Sequence, residues 1–449
     1  MRFLETLRWD GGDNAPCLAF VGAGGKTTAI FRLAKQLTHG KRPLAPRVWI
    51  TTTTHLSEEQ AAWGNFHVSE PTGRAGLDWA TLPDGIVVFT GEKVGERVKS
   101  PSPIFLQTLF ARAKRSNTPL LIEADGSRLH PVKAPAIHEP VIPAFVDHVF
   151  VLAGLSALGQ PLEQVVHRLD EFCLLARSQR DGGLSSEHLQ RVLSHPNGGG
   201  KGIPATASAS VLLTQAVSDP LASMGAVLAE SLLGAFSQVI VADFERDGDE
   251  VLGVWGRVAG IVLAAGGGIR FGAPKQLLDW SGKPFVVQVA ETALRAGCDP
   301  VIVVTGAFRE QVEAALEGLP VTFVHNPDWE KGQSTSVQAG LRRVGDVGAA
   351  LFLLSDQPHL PRLLMRTLMD THRVTLAPIV APLVDEQRGN PVLFDRRTFP
   401  AFASIAGDKG GRALFSRYRV AWIPWVEPTA ALDVDTPADY DRLLGLKDA

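Results

Sequence analysis

Two stretches of the chain hold residue types that handle phosphate. In Leu263-Ala-Ala-Gly-Gly-Gly-Ile-Arg-Phe-Gly-Ala-Pro-Lys275, an apolar run from Ala259 to Leu263 reads as a buried strand. It feeds a loop where Gly266, Gly267, Gly268 and Gly272 leave backbone with no side chain between it and a ligand. N–H groups from Leu263, Ala264, Ala265 and these glycines are then available to nucleotide oxygens. Arg270 adds a planar cationic fork and Lys275 a compact point charge. The outline is a nucleoside triphosphate site with Arg270 and Lys275 as catalytic cations. Its glycine spacing fits neither Gly-Lys-Ser/Thr nor G-x-G-x-x-G.

The second stretch is Cys17-Leu-Ala-Phe-Val-Gly-Ala-Gly-Gly-Lys-Thr-Thr28, followed by a helical pattern through Ile30, Leu33, Ala34 and Leu37. Strand, glycine turn and helix form the setting of a P-loop, although Phe20 stands where the full pattern has glycine. Gly22, Gly24 and Gly25 supply the turn of a variant loop, Lys26 the charge on the terminal phosphates, and Thr27 and Thr28 hydroxyls toward phosphate and Mg2+. Leu120-Leu-Ile-Glu-Ala-Asp-Gly-Ser127 reads as a neighbouring strand ending in two carboxylates. Asp125 is the expected Mg2+ ligand, with Glu123 as its alternative. The run Thr51 to Thr54 ends another strand, as ligand groups or simply as β-formers.

A third chemical feature is the buried strand Leu351-Phe-Leu-Leu-Ser-Asp-Gln-Pro358, which emits a single carboxylate. Asp356 is expected to hold Mg2+ with the substrate phosphates, and Asp435 of Leu432-Asp-Val-Asp-Thr-Pro437 is either a second ligand or a helix cap. The histidines His55, His138 and His167 pair with no second ligand at metal spacing. Pro196-Asn-Gly-Gly-Gly-Lys-Gly202 reads as a flexible inserted loop.

These residues must be held by α/β scaffolding. A chain of 449 residues exceeds one ordinary core. Strands alternate with helices throughout, which predicts two doubly wound nucleotide-binding domains. The charged turn Glu245 to Glu250 divides a domain spanning 1–250 from one spanning 257–449. In the second domain, strands are expected at Pro300–Thr305, Val321–His325 and Ala349–Ser355, in a mainly parallel sheet with ligands above their C-terminal ends. A net charge of -3 gives no electrostatic case for nucleic acid or an anionic membrane as partner. Three separated cysteines fit a cytoplasmic location, and neither a signal peptide nor a membrane span is legible.

The same residues carry two family resemblances. Leu263-Ala-Ala-Gly, Arg270-Phe-Gly272 and Lys275 resemble the signature loop of the molybdopterin nucleotidyltransferases. Asn326-Pro-Asp-Trp-Glu-Lys-Gly332 with Ser334, Ser336 and Gly340 resembles that family's segment lining the nucleotide and acceptor crevice. Ser355-Asp-Gln-Pro358 resembles its metal turn, Arg388-Gly-Asn-Pro-Val-Leu393 its acceptor-side loop, and Gly407 to Arg412 its next basic loop. Ala265 and Asn390 are similar to the cytidylyl branch, since guanylyl members usually carry glycine and histidine there. Gly268, often Ser in the family, and Phe271, often Met, depart from the pattern. Gly22-Ala-Gly-Gly-Lys-Thr-Thr28, the threonine run and Glu123-Ala-Asp-Gly-Ser127 resemble accessory proteins of selenium-dependent or molybdenum-containing hydroxylases, from about Phe20 to Phe244.

The first resemblance implies a Rossmann-like, glycosyltransferase-A-like nucleotidyltransferase fold and transfer of CMP from CTP to the terminal phosphate of molybdenum-molybdopterin, with Mg2+. It also implies acceptor contacts from Asn326, Ser334, Ser336, Gly389, Asn390 and Pro391. The second implies a variant P-loop domain binding ATP or GTP, with an apo molybdenum hydroxylase of the xanthine dehydrogenase type as partner. Guanylyl transfer to the same acceptor, nucleotidyl transfer to a sugar phosphate, and non-catalytic carriage of finished cofactor are the alternatives.

Overall fold

The computed structural model describes residues 1–40, 42–71, 77–246, 248, 250–268, 271, 273–427 and 432–445. The chain divides into two compact units, Met1–Trp255 and Gly256–Ala449.

The first unit is built on a nine-stranded sheet. Its order is Val251–Gly256, Gln238–Ala242, Ser208–Thr214, His148–Gly154, Cys17–Gly22, Leu120–Glu123, Arg47–Thr52, Gly85–Thr90, Phe66–Ser69. Cys17–Gly22 sits in the middle, parallel to its neighbours on both sides. Its apolar run is buried almost to the last residue, as expected of a parallel strand with both faces covered. The helix Lys26–Thr38 follows after a three-residue glycine-containing turn, so the loop opens at the C-terminal ends of the strands. The strand Leu120–Glu123, which ends on one of the two carboxylates and is followed closely by Asp125, is its immediate neighbour, in register Phe20 to Glu123.

Two local expectations change. The chain does not leave the first unit at the charged turn, because Val251–Gly256 returns as a strand at the end of the same sheet order. The glycine run after Pro196 is tied down: Gly198 N–H donates to His195 O at 2.8 Å, Gly199 N–H to Val192 O at 3.0 Å, and Lys201 N–H to Gly198 O at 3.1 Å. Its glycines serve a tight turn rather than a loose insertion.

In the second unit the sheet runs Thr322–His325, Val301–Thr305, Val258–Ala264, Ala349–Leu354, Val392–Asp395, Ile379–Val384, and both Gln387–Arg388 and Val420–Pro424 pair with Ile379–Val384. The first four strands are parallel. Val392–Asp395 is antiparallel to both its neighbours, so the mainly parallel expectation holds for the half that carries the glycine loop. Val258–Ala264 and Ala349–Leu354 lie side by side in register Leu263 to Leu354, which brings the glycine loop and Asp356 to one edge. The helices Phe285–Ala296 and Arg362–Thr375 bury apolar stripes against this sheet, including Val286, Ala290 and Ala293 from one and Leu364, Leu368 and Met369 from the other.

Among the described residues, no helix is long and apolar enough to cross a membrane. Cys17, Cys173 and Cys298 are free thiols. Burial pushes the Cys17 thiol up and the Cys298 thiol to about 12, which removes both as nucleophiles.

A buried polar contact joins the helix Arg362–Thr375 to the antiparallel strand, beside the apolar packing of Leu364 and Leu368 with Leu393. His372 Nε2 lies 2.8 Å from Asp395 Oδ2, and the other oxygen accepts from Arg397 N–H at 3.0 Å and Nε at 2.8 Å. Asp395 is fully buried. Asp395→Ala removes the acceptor that these donors share and is expected to destabilise the second unit by about 3 kcal/mol, read as a shift of its transition in a urea titration. An unshifted transition would show that the carboxylate is dispensable for docking this helix.

Candidate functional site

Lys275 is the point at which three separate segments of the second unit meet. Its ammonium lies 3.1 Å from Asp356 Oδ2 and 2.7 Å from Asp435 Oδ1. Burial opposes its charge, but the two carboxylates prevail and raise its pKa above that of an ordinary lysine. Asp356 follows the strand Ala349–Leu354, and Asp435 precedes the helix Pro437–Gly445. That helix is capped by other residues: Thr436 N–H donates to Asp439 Oδ2 at 2.8 Å and Asp439 N–H to Thr436 Oγ1 at 3.3 Å, leaving Asp435 to face the lysine.

Leu263 and Ala264 end the strand and Ala265, Gly266, Gly267 and Gly268 continue it as the loop; Arg270 and Gly272 lie outside the described residues. Gln276, almost completely buried, holds the loop from below by donating to Gly266 O at 3.1 Å and Ala264 O at 3.5 Å. The departure from serine at Gly268 has a steric reason. Its φ is +60°, and a Cβ there would stand 2.2 Å from Ala273 O.

Asp433 lies beside this cluster and was not singled out from sequence. Gln357 Nε2 donates to its Oδ1 at 2.6 Å. Part of Asp433 reaches solvent, yet its carboxyl is pushed up to about 6, first by the protein around it and then by the charges of Asp356 and Asp435. Among the described residues, no group of three or more His, Cys, Asp or Glu side chains would hold a metal. Asp356 and Asp435 converge on one point, a fit for a hard divalent cation completed by phosphate oxygens and water.

An adjoining cavity of about 140 Å³ is lined by Leu263, Gln357, Arg388, Asn390, Arg412 and Asp433, among others. Gly389 also lines it, and Pro391 follows Asn390. Arg388 stacks over the Phe415 ring at 4.8 Å, and its pKa is lowered by burial and then by the like charge of Arg412. Asn326, Ser334 and Ser336 are buried. Asn326 Nδ2 donates to Thr335 Oγ1 at 2.8 Å and Ser336 Oγ at 2.9 Å, and its Oδ1 accepts from Asp328 N–H at 3.1 Å, so these groups brace the start of the helix Gln333–Leu341.

In the first unit, Gly22, Gly24 and Gly25 all take positive φ, and a Cβ on Gly22 would stand 2.3 Å from Leu152 O. Lys26 is folded back into its own loop, donating to Gly22 O at 2.7 Å and pairing with Asp125 Oδ1 at 3.3 Å. Asp125 also accepts from Gly22 N–H at 2.9 and 3.0 Å and from Lys133 Nζ at 2.9 Å, so both its oxygens are engaged with the protein. Thr27 Oγ1 instead donates to Glu123 Oε2 at 2.9 Å, while Thr28 is the third residue of the helix. Burial raises the Glu123 pKa against the opposing charge of Lys26. In the threonine run, Thr51 Oγ1 donates to Phe89 O at 3.0 Å, Thr52 Oγ1 to Glu123 O at 3.0 Å and Thr53 Oγ1 to Val141 O at 2.8 Å, joining neighbouring segments.

A network invisible to spacing arguments backs this loop. Lys133, almost fully buried, contacts Asp125 and also Glu139 Oε2 at 2.6 Å, and Arg168 forks onto Glu139 at 2.6 and 2.8 Å. Burial alone would raise the Glu139 carboxyl, but Arg168 and Lys133 hold it at about 2 instead of the ordinary 4.5. A depressed folded value gives stability that is complete above the unfolded pKa and lost as pH falls through the folded one. Glu139→Gln is therefore expected to destabilise the first unit at neutral pH by about 2 kcal/mol after allowing for solvent screening, and to flatten the loss of stability between pH 4.5 and about 2. Unfolding of the first unit as a function of pH checks this, and superimposable acid profiles would refute it.

Residues 260–421 match the family described as the MobA-like NTP transferase domain, and residues 18–170 match the YqeC protein family. Nicotine blue oxidoreductase from Paenarthrobacter nicotinovorans is 34% identical over 197 residues, covering 42% of this chain and 96% of that protein. YqeC of Escherichia coli (strain K12), an uncharacterized protein, is 35% identical over 190 residues, covering 42% of this chain and 71% of that one. The purine catabolism protein PucB of Bacillus subtilis (strain 168) is 31% identical over 204 residues, covering 41% and 94%. The crystal structure of Rv0371c from Mycobacterium tuberculosis H37Rv is 31% identical and covers 42% of this chain and 98% of that one, with a TM-score of 0.38. The chain belongs to the MobA-like NTP transferase family through its C-terminal unit and to the YqeC family through its N-terminal unit, and is a nucleotidyltransferase.

Proposed function

We propose that the C-terminal unit transfers CMP from CTP to the terminal phosphate of molybdenum-bound molybdopterin, giving the cytosine dinucleotide cofactor and pyrophosphate. The observation that carries this reading is the meeting of Lys275, Asp356 and Asp435 beside the glycine loop. An ionised phosphate oxygen of the acceptor attacks the α-phosphorus in line. The bond from that phosphorus to the bridging oxygen breaks, and pyrophosphate leaves with the electron pair. The nucleophile is already a phosphate anion at neutral pH, so no general base is required. Asp356 and Asp435 would hold a divalent cation such as Mg2+, which would supply positive charge to the triphosphate oxygens. Lys275, Arg270 and the loop N–H groups hold the departing pyrophosphate.

Arg388 and Arg412 favour an anionic acceptor, because two like charges line one cavity and, among the described residues, neither forms an ion pair with Asp433, which also lines it. Ala265 and Asn390 support CTP over GTP through their resemblance to cytidylyl enzymes. The N-terminal unit is read as an ATP- or GTP-binding accessory to maturation or delivery of a molybdenum hydroxylase. The purine catabolism in PucB's name is consistent with a target of the xanthine dehydrogenase type.

The test is pyrophosphate release from molybdenum-loaded molybdopterin with Mg2+ and either CTP or GTP. Release is expected with CTP and to fall about a hundredfold or more in Asp356→Ala. Release with GTP alone would overturn the cytidylyl reading, and none with either would turn attention to another acceptor or to the redox activity in a relative's name. For the N-terminal unit, adding Lys26→Ala to the Asp356→Ala protein is expected to weaken ATP or GTP retention by about tenfold or more, measured by equilibrium dialysis. Unchanged retention would remove Lys26 from phosphate binding.

A further inference from the structure

We infer that Lys275 and the divalent cation occupy the Asp356–Asp435 pair in turn, so that the cation enters with the triphosphate rather than ahead of it. This rests on the proposed reading of that pair as cation ligands. The ammonium is at hydrogen-bonding distance from both carboxylates, 3.1 Å from Asp356 and 2.7 Å from Asp435, the position a cation bridging them requires. Two cations crowded between the same two oxygens repel steeply in a partly enclosed site. The cation therefore binds only when the lysine leaves.

The lysine is held in place by its own loop. Lys275 opens a short helical turn, Lys275–Leu277, and the next residue, Gln276, is buried and bonded to the loop carbonyls of Gly266 and Ala264. Its backbone is thus tied to the loop through its neighbour, while its long side chain keeps several rotatable bonds. A triphosphate on the glycine loop offers that side chain another anion nearby. Transfer of the ammonium from carboxylates to phosphate uncovers the carboxylates for the cation that neutralises the same phosphates. The swap conserves local charge balance: the lysine is never without an anion, and the carboxylates are never without a cation. Lys275 is thus a positioning residue for the metal as well as a phosphate ligand.

The experiment uses full-length protein and Mn2+ as the probe, with bound metal read by loss of the free-ion electron paramagnetic resonance signal in the absence of nucleotide. Wild type, Lys275→Met, and Lys275→Met combined with Asp356→Asn are compared after circular dichroism has shown that each is folded. Lys275→Met is expected to bind Mn2+ about tenfold or more tightly than wild type, and Asp356→Asn to abolish the gain. Equal affinity of wild type and Lys275→Met would overturn mutual exclusion. A gain that survives Asp356→Asn would place the cation elsewhere and overturn the underlying assignment of Asp356. Adding a nonhydrolysable CTP analogue should restore Mn2+ retention by the wild type at Asp356; retention equal to that of its Asp356→Asn counterpart would refute entry with the triphosphate.

Discussion

The second unit is organised by one electrostatic contact, the ammonium of Lys275 between two carboxylates. Each partner comes from a different part of the chain: the glycine loop, the end of the strand Ala349–Leu354, and the segment before the terminal helix. Two carboxylates brought this close repel each other, and the neighbouring Asp433 adds a third acid, its carboxyl pushed up to about 6 first by burial and then by those two charges. A cation is therefore a condition of the arrangement. Lys275 supplies that cation, contacting Asp356 and Asp435 at once and so joining the loop, the strand end and the terminal segment.

The first unit solves a related problem with different parts. Lys26 also rests on a carboxylate from the neighbouring strand end, but Asp125 is enclosed by Gly22 N–H, Lys26 and Lys133 with no oxygen left over. A buried carboxylate with every lone-pair direction used acts as a fastening for the glycine turn. The hydroxyl of Thr27 turns to Glu123, whose burial and raised pKa mark a carboxyl that gains from a further cation. The two carboxylates at this strand end are thus held differently: Asp125 braces the glycine loop, while Glu123 accepts from the Thr27 hydroxyl.

Much of this was legible from sequence, because phosphate handling demands unusual residues in a short span. Glycines at a strand end, a lysine just after them and one carboxylate closing an apolar strand stand out against the background at Gly266 to Lys275 and at Asp356. Side chains whose work is to hold other groups leave no such mark. Gln276 looks like any polar residue until its amide is seen on two loop carbonyls. Lys133, Glu139 and Arg168 are scattered over a long stretch and meet only through tertiary folding. Asn326 reads as ligand-facing from its motif, and the structure adds that its amide donates to Thr335 and Ser336 of the following helix and accepts from Asp328 N–H, a bracing that the motif did not foretell. The run from Pro196 to Gly202 misleads for a related reason: glycine marks a loose linker and a tight turn alike, and only the hydrogen bonds distinguish them.

The polarity of the second unit's cleft follows from the reaction proposed for it. Joining a triphosphate to a phosphate monoester brings two polyanions together, and their mutual repulsion is the first barrier. On the proposed reading, one side of the site would answer with the Asp356 and Asp435 carboxylates and the Lys275 ammonium between them, where the triphosphate would be met by a cation. The other answers with the guanidiniums of Arg388 and Arg412, fixed cations that line the cavity beside Asn390. Arg388 is steadied by the face of Phe415, so its position does not depend on a carboxylate that would cancel its charge. An arginine paired to an acid would be easier to keep in place and poorer at attracting an anion. Two guanidiniums in mutual repulsion favour an anionic occupant, which the phosphorylated acceptor of the proposed reaction would supply and a neutral alcohol would not.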